Sequence, residues 1–212
     1  MRIGVLGTGT VGQTLGSGLI GLGHEVMLGS REANNPNALE WAAGAGGRAT
    51  AGTFADAAAF GELLVLSTLW AGTENALALA GHHRFAGKTV IDTTNPLVFG
   101  DGGPSLALGT TDSGGEQVQR WLPDAHVVKA FNIVGAPHMV HPALPGGPPD
   151  MFIAGDDDEA KSAVTDILTA FGWLTIDIGG IEGARLLEPL CILWVLYGAR
   201  TGTWNHAFKL LR

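Results

Sequence analysis

Apolar residues in this chain come in short runs separated by longer, helix-compatible stretches. The runs Arg2–Leu6, Glu25–Gly29, Leu63–Ser67, Thr89–Asp92 and His126–Phe131 end in Gly, Asn or Thr and predict strands. Between the first two, Val11–Leu22 places Val11, Leu15, Leu19 and Leu22 on one helical face, and Gly23 stops the helix. Asn37–Ala45, Phe54–Phe60, Ala71–Ala80 and Glu116–Leu122 are the further helix candidates. Strands alternating with helices predict an α/β fold whose parallel sheet is joined by crossover helices.

The stretch Pro137–Asp150 holds five prolines and two glycines, so it reads as punctuation and sets an expected boundary between residues 1–136 and 137–212. Beyond it the pattern gives a strand at Met151–Ala154, a helix from Asp156 or Asp157 stopped by Gly172, a strand at Trp173–Ile178, and a closing helical region from Glu182. Asp156 and Glu159 have capping-box spacing, which suits the positive end of a helix. The run Pro189–Tyr197 is apolar on all sides and predicts burial in a core, beneath a ligand, or against a second copy of the chain in a homodimer.

Composition narrows the function. Of 212 residues, 46% are hydrophobic and 15% charged, which excludes bulk disorder. The 33 glycines have no three-residue period, so this is not collagen. The net charge of −8 has the wrong sign for gripping a polynucleotide, so no nucleic-acid partner is expected. A lone Cys191 can form neither an internal disulfide nor a multi-thiolate metal site, and it reads as a core residue of a cytoplasmic protein. Met1-Arg2 runs straight into the first strand and turn rather than a signal peptide, and the Pro189–Tyr197 run falls short of the ~20 residues that span a bilayer, so no membrane partner is expected.

The strongest chemical motif is Gly7-Thr8-Gly9-Thr10-Val11-Gly12, a G-x-G-x-x-G placed after a strand and opening a helix. Gly7 permits the tight turn, Gly9 admits a pyrophosphate, Gly12 allows close helix packing, and the amides at the helix start receive the anion. The second strand ends Leu28-Gly29-Ser30-Arg31 where an NAD site usually has a carboxylate. A hydroxyl and a guanidinium after a residue with no side chain leave room and charge for a 2′-phosphate, which points to NADP(H).

With these motifs Ser67-Thr68-Leu69-Trp70, Asp92-Thr93-Thr94-Asn95-Pro96, Val128-Lys129-Ala130-Phe131-Asn132, Gly155-Asp156-Asp157-Asp158-Glu159 and Ala184-Arg185-Leu186-Leu187-Glu188 make a series. Over most of its length the chain resembles the small NADPH-dependent coenzyme F420 reductases (F420H2:NADP oxidoreductases), their bacterial relatives, and the NADPH–flavin domain of the STEAP-type metalloreductases. The resemblance implies a Rossmann-type doubly wound parallel sheet at 1–136, with a small α/β C-terminal extension at 137–212 closing the site of the redox partner. It also implies hydride transfer between NADPH and a deazaflavin (F420) or a flavin (FMN or FAD). Carried over, Thr68, Leu69 and Trp70 line the path from adenosine to nicotinamide, Asn95 and Pro96 form the next loop, and the backbone from Ala130 to Asn132 faces the nicotinamide. Asn132 stands where the archaeal deazaflavin reductases carry a histidine, the form nearer the STEAP-type domain, and Gly183 stands where a serine is usual.

Two cofactor rings can exchange hydride with no obligatory acid or base, so no side chain is assigned as catalytic. His138 and His141 lie between prolines without a nearby carboxylate or thiol, so no metal site is expected. Arg185 and Glu188 suit an ion pair on one helix, or an Arg facing a ligand. Two other functions stay open. One is a small hydroxy-acid or imine dehydrogenase using Lys129, the lysine nearest the pocket, as proton donor; the other is an NADP-binding sensor or subunit without turnover.

Overall fold

Helices covering both faces of a sheet need two apolar surfaces, and strands supply them by alternation. In β1 (Arg2–Leu6) Ile3 and Val5 enter one core while Leu6 enters the other. β4 (Leu63–Leu66) divides Leu63 and Val65 from Leu64 and Leu66 in the same way. The first core is closed by α1 (Thr10–Gly21), α2 (Pro36–Ala45) and α6 (Asp158–Ala170), and the second by α3 (Phe54–Phe60), α4 (Trp70–Ala80) and α5 (Gly114–Trp121). These elements belong to a computed structural model that describes residues 1–100 and 103–211.

The remaining sheet strands are β2 (Glu25–Ser30), β3 (Ala49–Thr53), β5 (Thr89–Asp92), β8 (His126–Lys129), β9 (Asp150–Gly155) and β10 (Leu174–Asp177). Their order is β10-β9-β8-β5-β4-β1-β2-β3. From β3 through β8 every pair is parallel, the strand order of a Rossmann-type α/β fold. β9 then runs antiparallel to β8, with Lys129 opposite Ala154, and β10 is parallel to β9. Residues on both sides of the proline-rich stretch therefore share one sheet. Because β9 begins at Asp150 and meets β8 only at Ala154 and Gly155, its first residues extend beyond the carboxyl ends of the parallel strands.

The predicted strands and helices all occur, with ends shifted by a few residues. Pattern reading missed β3 and the hairpin of β6 (Leu97–Gly100) and β7 (Gly103–Leu106). The cap of α6 is also displaced by one position: Asp157 accepts the amide of Ala160, while Asp156 accepts that of Ile181. The expected burial of Pro189–Tyr197 holds for one face only. α7 (Ala184–Thr201) turns Leu187, Cys191, Trp194 and Gly198 inward, leaving Leu193, Leu196 and Tyr197 exposed on its other side. Cys191 is buried as expected, and burial pushes its thiol up to about 11. Among the described residues no helix is long and apolar enough to cross a membrane.

α3 packs so closely on β1 that a Cβ at Gly4 would collide with the Ala57 carbonyl and lie 2.8 Å from the Leu64 side chain. Overpacking of this kind typically costs about 1–3 kcal/mol, so Gly4→Ala should lower stability by about that amount in urea unfolding, with the slope unchanged.

Candidate functional site

The chain leaves β1 toward β2 on one side and returns through β3 to β4 on the other, so a crevice opens at the carboxyl ends of β1 and β4. The Gly7–Gly12 loop lies there. Gly7 has φ +130°, its amide bonds the Gly29 carbonyl at 3.0 Å, and a Cβ on it would sit 2.5 Å from the Ser67 carbonyl. Gly12 is buried, and a Cβ there would strike the Gly7 carbonyl. Gly9 differs. It caps α1 with no side-chain acceptor, and no atom would approach a Cβ on it within 4 Å. Thr10 is exposed, Thr8 and Val11 are half-buried, and Gln13 fixes the loop by donating to the Thr8 carbonyl at 2.9 Å. Open backbone at a helix start with unsatisfied amides is a cradle for an anionic group such as a pyrophosphate.

At the end of β2, Ser30 is 5% exposed, and its hydroxyl donates to the Glu32 carbonyl while accepting the Glu32 amide at 3.2 Å. That hydroxyl shapes the turn that presents Arg31. Arg31 is exposed and has no ion pair or hydrogen bond among the described residues. The absent side chain of Gly29, expected to leave room for a ligand, instead admits α3: a Cβ there would lie 2.7 Å from that of Ala57.

After β4, Ser67 donates to the Leu6 carbonyl at 3.1 Å, and Thr68 shares a 2.9 Å hydrogen bond with Thr73, whose hydroxyl bonds the Leu69 carbonyl. Leu69, 87% exposed, caps α4. Trp70 is half-buried and stacks on Trp121 with centroids 5.6 Å apart.

After β5 and β8 the chain is tied together by carboxamides. Asn95 donates to the Asn132 carbonyl at 2.9 Å, and Asn132 Nδ2 donates to Asn95 Oδ1 and to the Leu187 carbonyl, each at 3.0 Å. A carbonyl can only accept, so Nδ2 must face Leu187, and Asn132 Oδ1 is left buried without a partner. Pro96 and Ala130 are buried, and the Ala130 amide bonds the Asp92 carbonyl at 3.1 Å. Between Ala130 and Asn132, Phe131 has φ +61°, a conformation that a bulky residue adopts only under strong constraint.

Beneath these residues lies a charged cluster that the sequence did not reveal. Lys129 is fully buried, with Nζ 2.7 Å from Asp92 Oδ2, 2.9 Å from Glu188 Oε1 and 2.8 Å from the Thr94 carbonyl. The Asp92 contact is ionic rather than an aligned hydrogen bond. Asp92 Oδ1 accepts the amide and hydroxyl of Thr94, and the two oxygens of Glu188 accept the amides of Gly114 and Gly115 at the start of α5. Burial works to lower the Lys129 pKa, but the two carboxylates outweigh it and hold the ammonium above its ordinary value. A raised lysine adds stability that is complete below its unfolded pKa and is lost only as pH climbs through the folded value, so the cluster is intact at neutral pH. The ammonium is fully buried, bonded to one carbonyl and paired with two carboxylates, which corrects the reading of Lys129 as a proton donor facing the pocket. The proposed Arg185–Glu188 pair is corrected as well. Arg185 Nε donates to Glu116 at 2.8 Å, and this bond holds the Glu116 carboxyl below its usual range. His138 ends the single turn Ala136–His138 and His141 follows it, and among the described residues no group of three or more His, Cys, Asp and Glu could hold a metal.

Residues 2–96 match the family model for NADP oxidoreductase, coenzyme F420-dependent. The F420-dependent NADP reductase of Methanothermobacter marburgensis is 31% identical over 99% of this chain and 98% of its own length. Rat metalloreductase STEAP3 is 29% identical over 89% of this chain, which spans 36% of that protein. A crystal structure of an F420-dependent NADP-reductase candidate from Arthrobacter sp. FB24 superposes with a TM-score of 0.94, at 40% identity and full coverage of both chains.

Removing Lys129 would strand two carboxylates in the interior. Lys129→Ala should therefore destabilise the fold by about 3–5 kcal/mol, far more than truncating a pocket lysine, and denaturant unfolding against the wild type measures it.

Proposed function

We propose that this chain, which belongs to the family of F420-dependent NADP reductases, transfers hydride between NADP(H) and the deazaflavin F420. The observation that carries the reading is the start of α1, where Gly9 leaves backbone amides open at the switch crevice with no side chain of the protein to cap them. NADPH supplies the hydride when bound. The amides following Gly9 receive the pyrophosphate, and Thr8, Thr10 and Val11 shape the loop around it. Arg31 takes the 2′-phosphate, held in place by the turn that Ser30 closes. Thr68, Leu69 and Trp70 line the path from there, and Asn95, Pro96, Ala130 and Asn132 enclose the nicotinamide end. Residues 137–212 complete the acceptor side, since β9 reaches past the carboxyl ends of the parallel strands and α7 supplies the carbonyl that Asn132 bonds. The protein's contribution is to hold two rings in near-attack contact, and no acid or base is assigned.

None of the relatives described above is named for FMN or FAD, so these enter as contrasting acceptors. NADPH oxidation measured in parallel with F420, FMN, FAD, ferric chelates, small ketones and imines should be fastest with F420. Turnover confined to ketones or imines would overturn the reading in favour of a small-substrate dehydrogenase, and bound NADPH with no turnover would favour a sensor.

Dinucleotide selectivity is tested separately. A charge-assisted hydrogen bond is worth roughly 1.5–3 kcal/mol, so Arg31→Ala should weaken NADPH binding about 10- to 150-fold and leave the poorer NADH binding nearly unchanged. Calorimetric titration of both nucleotides reads this directly, and equal losses would refute it.

A further inference from the structure

The Lys129 ammonium and the Asn132 carboxamide read the same two segments of chain. Lys129 bonds the Thr94 carbonyl, and the next residue, Asn95, bonds Asn132. Lys129 also pairs with Glu188, and the preceding residue, Leu187, accepts from Asn132 Nδ2. Each partner of the carboxamide is thus the immediate neighbour of a partner of the ammonium. The two grips are three residues apart on one chain, joined through the left-handed turn at Phe131.

The surroundings leave the cluster little freedom. Asp92 and Lys129 are directly paired residues of β5 and β8, and Asp92 Oδ1 holds Thr94 by two hydrogen bonds. Glu188 is anchored at the start of α5 by two amides, in a space that a Cβ would crowd: one at Gly114 would lie 3.0 Å from Glu188 Oε1 and 3.1 Å from Trp70, and one at Gly115 would lie 2.8 Å from Ala184. The cluster has no exposed atom facing a ligand and contains two anions and one cation, an expensive choice if packing alone were required.

We infer that Asp92, Lys129 and Glu188 are positioning residues, which set the distance between the β5 loop and α7 and so hold the Asn132 carboxamide in register for the acceptor half of the site. The inference rests on the reading of the site given above. It separates two parts of the site: the Gly7–Gly12 loop and Arg31, which take the phosphates, share no hydrogen bond or ion pair with the cluster among the described residues, so the phosphate-borne bulk of nucleotide affinity should change little, whereas the alignment of the nicotinamide end at Asn132 with the acceptor should.

The test uses Glu188→Gln. Here Asp92 and Lys129 remain a balanced pair, and the new amide oxygen can still accept from α5. A misplacement of about 1 Å can cost about 100-fold in rate, so kcat with F420 should fall about 10- to 100-fold while NADPH Kd stays within about threefold. The Asn132 side-chain amide protons, followed by NMR exchange in the ligand-free protein, should exchange at least about tenfold faster as their acceptors loosen. If Glu188→Gln does not fold, the neutral triple variant Asp92→Asn, Lys129→Met, Glu188→Gln replaces it, since no buried charge is then left unpaired. A folded variant with unchanged kcat and unchanged amide exchange overturns the inference and leaves the cluster a purely structural one. A parallel loss of NADPH affinity overturns it too, because the loosening would then be general. If the wild type does not reduce F420, the assigned function fails, and the amide exchange still decides whether the cluster positions Asn132.

Discussion

One buried ammonium joins β8 to β5 and α7 at the carboxyl ends of the parallel strands. Transferring a lysine and two carboxylates out of water costs several kcal/mol per ion, so such a group persists only where every polar atom finds good partners. Lys129 has three oxygen neighbours, and each carboxylate is bonded further, Asp92 through Thr94 and Glu188 through two helix-start amides. The result ties together β5, β8, α5 and α7, elements spread between residues 89 and 201. The apolar packing of Leu187, Cys191 and Trp194 seats α7, and the bonds of Glu188 and of the Leu187 carbonyl add directional contacts at its start.

That division of labour explains why the crevice has two characters. Around Gly7–Gly12 the design is subtractive: side chains are missing so that backbone can approach backbone, and Gly9 is left open. Around Asn132 it is additive, with amides, carboxylates and an ammonium interlocked. The first arrangement suits a ligand recognised by its phosphates. The second fixes one carboxamide, that of Asn132, by directional bonds from two separate segments.

Much of the first half was legible in the sequence, because it depends on local pattern. β1, the glycine motif and α1 lie within about twenty consecutive residues, and periodicity alone locates them. The second half depends on register. Asp92 and Lys129 each read as a charge ending an apolar strand, and only the alignment of β5 with β8 makes them neighbours. Glu188 meets them across a long stretch of chain, so its helix neighbour Arg185 was the natural but mistaken partner. β3 was missed because Ala49–Thr53 is small and polar, and it is a strand by virtue of pairing with the edge of β2. The hairpin at Leu97–Leu106 was missed because its exposed Val98 and Phe99 and its glycines and proline give no strand rhythm. Gly29 was located but misread, since its missing side chain serves α3 rather than a ligand.

The reversal of β9 has a consequence for how such a chain can diverge. Had β9 been parallel to β8, the connection leading into it would have arrived at the amino ends of the strands, away from the crevice. Because it runs the other way, the proline-rich stretch before Asp150 is delivered to the carboxyl-end side. Val140 and His141 of that stretch lie against α1, and Leu144–Pro149 against Asn205–Lys209, so changes of length there can be absorbed outside the parallel strands while β1 through β8 keep their spacing.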